Sequence, residues 1–189
     1  MILALSGALL FLALSLAPGP RLGALRGETW GKGMAATMAV DVIFWLVSAS
    51  LACVFLWLAP AQGHWIAGTA CAVFLVVFLG VTLARPFQPP PAIEGLDALF
   101  MQPLRRVDLW FDAFLIFPAF TVAMASTPGG VFAVSVGALI AAFGGYAIVA
   151  LPRLSALPAF WHAMGIITAV TGLLALTILG LRLTNTYPF

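Results

Sequence analysis

Two carboxylates, two thiols and two imidazoles lie inside or beside long apolar stretches of this chain, and their chemistry is the first thing to explain. Asp41 and Asp112 weigh most, because an ionisable group within a membrane span is costly and marks a pathway or relay by default. Thr37 and Ser48 lie four and seven residues from Asp41 and share its helical face. Asp112 follows Asp108 by one turn, and Pro118 downstream frees the carbonyl of Phe114. A kink with an unpaired carbonyl beside an aspartate suits a proton or cation path. The plainer alternative places both aspartates at headgroup level, capping helix N-termini and pairing with Arg105, Arg106 or Lys32. The candidate intramembrane polar site is therefore Asp41, Asp112, Ser48 and His162.

Cys53 and Cys71 each lie nine residues from Gln62, the centre of a predicted turn. That puts them at equal depth in antiparallel neighbours, where contact is possible. Two thiols fall short of the four ligands of a structural zinc site, and there is no CxxC motif. A free cysteine commonly packs as a small hydrophobe. His64 and His162 are the only histidines. The topology below sets them at opposite faces of the bilayer, about 30 Å apart, so a shared haem or metal is not expected. His162 shares a face with Gly165, Ala169 and Gly172, where helices approach closely, and an interhelical hydrogen bond is its expected role. No nucleophile elbow, HExxH motif or phosphate-cradling glycine loop is present. No metal and no cofactor is predicted.

The elements that position these groups follow from solvent physics. The chain is 63% hydrophobic and 7% charged, against roughly 25% charged residues in a soluble domain. Lipid suits such a chain, and in lipid each span must satisfy its own backbone, so helices are expected. The predicted fold class is all-α: one integral membrane domain, a polytopic bundle of six transmembrane helices. The spans fall at residues 2–17, 38–60, 65–84, 109–126, 131–151 and 159–181. The first is short, stopped by Pro18 and Pro20, and lacks the basic start of a signal peptide. Residues 92–102 in the third loop read as a short interfacial helix, with Ile93, Leu96, Leu99 and Phe100 on its apolar face.

Charge orients the bundle. Arg21, Arg26 and Lys32 fill the first gap, Arg85, Arg105 and Arg106 the third, and Arg153 the fifth. The second and fourth gaps carry no Lys or Arg, and only Arg182 breaks the pattern. Positive loops stay cytoplasmic, so both termini are expected outside, in a bacterial inner membrane. Trp30, Trp57, Trp65, Trp110 and Trp161 fall near span ends, as an aromatic belt would, and only Trp45 sits well inside a span.

Two patterns bear on assembly. Gly137, Ala141 and Gly145 repeat at four-residue spacing, and this stripe suits either tight packing within the bundle or contact with another subunit. Spans two and three resemble spans four and five, each pair running from an aspartate through a turn with proline to an arginine beside proline. Repeats of this kind occur in transporters.

Three functions remain open. One is a small permease or channel component moving a small solute or ion. Another is a non-catalytic subunit of a larger membrane complex. The third is a membrane enzyme acting on a lipid or quinone, with Arg105 and Arg106 contacting an anionic headgroup. Expected partners are the bilayer and either further copies or partner membrane subunits. Nucleic acid is excluded for want of a basic patch with stacking aromatics. The orientation is checked by cysteine labelling: a probe placed beside Arg105 stays unmodified by an impermeant reagent on intact cells and reacts once the membrane is opened.

Overall fold

A backbone surrounded by apolar side chains must satisfy its own polar groups, and every regular element among the described residues is helical. The computed structural model describes residues 1–16, 22, 25, 30–58, 63–84, 87–88, 110 and 112–184. Helix α1 is Ile2–Ser15, α2 is Trp30–Leu58 and α3 is Gly63–Leu83. A π-helical turn, Asp112–Ile116, leads into α4, Phe117–Met124. Helix α5 is Pro128–Val149, α6 is the short Pro152–Ser155, and α7 is Pro158–Leu183.

Four of these, α2, α3, α5 and α7, are long and apolar enough to cross a membrane. Ile66, Val76, Phe132, Ile140, Phe143 and Leu173 stand on their outward faces, each more than half exposed. In water such faces would cost roughly 25 cal/mol per Å². Against acyl chains they cost nothing comparable.

Three boundaries differ from the hydropathy reading, each for a local reason. Helix α2 begins at Trp30, not at Met38. No proline interrupts residues 30–58, and the exposed Lys32 simply extends the helix beyond its apolar part. Helix α1 has 14 residues and so reaches only about 21 Å, short of a bilayer core of roughly 30 Å. Span four is continuous from Asp112 to Met124 but irregular at its start. Pro118 is the second residue of α4 and brings no N–H, and the widened π-helical turn immediately before it absorbs the lost bond. The interfacial helix expected at residues 92–102 lies outside the described residues.

Caps fix the start of α5. The Thr127 hydroxyl accepts from the Gly130 N–H at 3.2 Å, and Pro128 takes the first helical position. Trp161 is buried rather than placed in the belt, and its Nε1 donates to the Ser155 carbonyl at 2.9 Å, tying α6 to α7. Trp57 and Trp65 are exposed near the ends of α2 and α3.

Packing centres on α1, whose main neighbours are α5 and α7. Helices α1 and α5 run parallel: Leu3 lies by Gly130, Gly7 by Val134 and Leu16 by Gly145. They cross backbone to backbone. A Cβ on Gly7 would fall 2.0 Å from the Val134 carbonyl oxygen, and one on Gly137 would fall 1.8 Å from that of Ala4. Helices α3 and α7 run antiparallel, with Gly68 against Leu183 and Leu79 against Gly172, and the Phe87 ring beyond α3 covers Gly165. Helix α4 packs on both α2 and α3 and bridges them.

The crossing predicts an asymmetry among glycines. Gly137→Ala forces two backbones apart and should destabilise the bundle by about 1–3 kcal/mol or more. Gly144 has no atom within 4 Å of an added Cβ, so Gly144→Ala should be neutral or stabilise by up to about 1 kcal/mol. Thermal melting of the two variants in mild detergent checks this; equal losses would contradict the crossing.

Candidate functional site

Three of the buried polar residues, including the one buried carboxylate among the described residues, lie along α2. Thr37, Asp41 and Ser48 are all buried there. Thr37 is satisfied locally, its hydroxyl donating to the Gly33 carbonyl at 2.9 Å. Asp41 reaches across to another helix: Tyr146 Oη of α5 donates to Asp41 Oδ2 at 2.5 Å. Asp41 is 2% exposed and Tyr146 0%. Phe11 of α1 stands edge-on to the Tyr146 ring, centroids 5.7 Å apart. Three helices therefore meet at one carboxylate–phenol pair.

This placement bears on the capping alternative. Asp41 is eleven residues past Trp30, about 16 Å into α2, so it does not cap the helix N-terminus. Lys32 lies nine residues back, about two and a half turns, and so on the opposite face. Lys32 is exposed. A hydrogen bond of this kind contributes a net ~1 kcal/mol.

The other predicted residues separate. Asp112 opens the π-helical turn, which itself packs on α2, so the two aspartates sit on neighbouring elements. Those elements are built differently, one a continuous 29-residue helix and the other a five-residue turn. Ser48 is 1% exposed, and its hydroxyl has no partner among the described residues; Thr168 on α7 shares that state. His162 is exposed, with Nδ1 3.1 Å from the Pro158 carbonyl of its own helix, not across an interface, and its ring edge-on to Phe87. His64 lies in the first turn of α3 and His162 is the fifth residue of α7, and the antiparallel register sets them roughly 37 Å apart along the axis. Arg105 and Arg106 lie outside the described residues.

Gly137 and Gly145 meet α1, Gly165 meets Phe87, and Gly172 meets Leu79 and Ala13, all within the same chain. Ala141 packs partly buried against the main core. Both cysteines are free. Cys71 belongs to the main core, while Cys53 packs against the cluster of Ala52, Val122 and Val131. No three groups of the His, Cys, Asp and Glu type gather as metal ligands among the described residues.

Tyr146 is the partner that residue typing passed over, because a lone tyrosine in a span reads as packing. Its depth was available. Tyr146 is 18 residues past Pro128, and Asp41 is 17 residues before Leu58. Counted from the end of α2 and the start of α5, the two lie level.

Fold and site together define a small all-helical bundle with membrane-length apolar helices and one buried carboxylate–phenol pair. No protein-family model, curated protein or solved structure matches the chain.

A double-mutant cycle measures the pair. Tyr146→Phe and Asp41→Ala should each destabilise, with a coupling of about 1–3 kcal/mol, because neither loss adds fully once the other is made. Additive losses in the same melting assay would show that the two side chains do not interact.

Proposed function

We propose that this protein is a small multi-pass permease or channel component of a bacterial inner membrane, moving a small cation or proton-coupled solute. The buried Asp41–Tyr146 pair carries this reading. An aspartate held inside a lipid-suited bundle is retained against its cost, and pathways and relays are where that occurs. The pair lies about 26 Å from the outer end of α2, toward the inner edge of a core roughly 30 Å thick. That is where an inner vestibule would narrow.

The surroundings favour positive charge. Helix α1 ends beside the pair, with Leu16 against Gly145. The C-terminal end of a short helix is the negative end of its dipole, and such ends help coordinate cations in transporters. Ser48 and Thr168 supply buried hydroxyls free to take water or solute. Six crossings with both termini outside fit the helix directions: α1 parallel to α5, α3 antiparallel to α7, and α2 antiparallel to α5 through Asp41–Tyr146 and the Ala52–Val131 cluster.

One observation favours the subunit reading. Gly80 and Gly144 present open space where a Cβ would go, so a partner helix could approach there. Reconstitution separates the two. In proteoliposomes carrying a proton or monovalent cation gradient, Asp41→Asn should reduce the current to that of empty vesicles while the melting curve persists. A current unchanged by Asp41→Asn, with a second protein retained through purification, would favour the subunit.

A further inference from the structure

Helices α2 and α5 touch at Asp41–Tyr146 and again at Ala52–Val131, but on their outward side they leave a groove of about 450 Å³. It runs from Val42 to Cys53 on α2 and from Pro128 to Leu139 on α5. Each stretch covers twelve residues, about 17 Å of helix from first to last. The groove therefore starts at the capped end of α5 and stops near the middle of a core roughly 30 Å thick. Past its blind end the Asp41–Tyr146 bond closes the seam.

That length selects the occupant. A partner helix needs a seam that continues through both leaflets. A single acyl chain entering from the Pro128 side needs only one leaflet. The lining is apolar apart from hydroxyls that already serve their own helices: Ser50 donates to the Leu46 carbonyl at 2.8 Å and Ser135 to that of Val131 at 2.9 Å.

Charge at the mouth completes the match. Arg182 at the end of α7 donates from Nη2 to Ser126 Oγ at 2.9 Å, and Ser126 lies two residues before Pro128. The guanidinium is thereby tied to the turn that leads into Pro128, at the end of α5 where the groove begins. Arginine suits phosphate because its planar fork matches the oxygens. It is also the one basic residue that broke the alternating charge pattern along the chain. The geometry points to a bound anionic phospholipid, one acyl chain in the α2–α5 groove and its phosphate on Arg182.

The test is native mass spectrometry of the whole protein in mild detergent, with phosphatidylglycerol and phosphatidylcholine supplied in equal amounts. One phosphatidylglycerol should be retained per chain, and Arg182→Gln should lower its preference over phosphatidylcholine by about tenfold. Ala49→Phe fills the floor of the groove and should abolish retention of both lipids. Arg182 stands at the end of the bundle, so its variant keeps the proposal testable should Ala49→Phe fail to fold. Equal retention of the two lipids by the wild type would overturn the assignment. Oxidative cross-linking of two chains through Cys53, which lines the groove, would also overturn it by showing a second copy there.

Discussion

A carboxylate inside an apolar bundle must find its hydrogen bonds from protein, because lipid offers none. Asp41 finds one from Tyr146, and that requirement constrains three helices at once. Helix α2 must present Asp41 inward, α5 must run antiparallel at matching depth, and α1 must leave room for Tyr146 while Phe11 braces its ring. A slip of one residue in α2 turns Asp41 by about 100° and breaks the arrangement. The bond is worth little as a net contribution, yet its loss would take a hydrogen bond from a buried carboxylate. It works as a register pin more than as a source of stability.

Stability comes from the packing around it. Hydrophobic burial supplies no drive between helices already in lipid, so close van der Waals contact must do so. Glycines at Gly7 and Gly137 let α1 and α5 meet at their backbones, and α3 closes on α7 with Gly68 and Gly172 at the contacts. The short α1 sits among these neighbours, and its Leu10, Phe11 and Ala13 are fully buried. A 14-residue helix is tolerable there because protein, not lipid, surrounds most of it.

Much of the architecture was legible in the sequence. Hydropathy located the long helices, and the glycine spacing in α5 marked a contact. Pro118 announced an irregularity, though a π-helical turn rather than a simple kink resolves it. The failures have physical causes. Hydropathy finds where apolar character begins, not where a helix begins, so α2 was expected to start eight residues late and Asp41 looked terminal. Sequence adjacency suggested that α2 and α3 pack as a hairpin, bringing Cys53 to Cys71. Instead α4 bridges the two, and the thiols fall in separate clusters. Pairing of Asp41 with Tyr146, 105 residues apart, needs the helix arrangement before it can be seen.

Tyr146 holds Asp41 inside the bundle. Infrared spectroscopy on the protein carrying carbon-13 aspartate in lipid nanodiscs tests it most directly, with Asp41→Asn identifying the Asp41 band by difference. Tyr146→Phe should shift that band and leave the other aspartate bands in place. An Asp41 band that is unmoved by Tyr146→Phe and exchanges freely with deuterated water would contradict it.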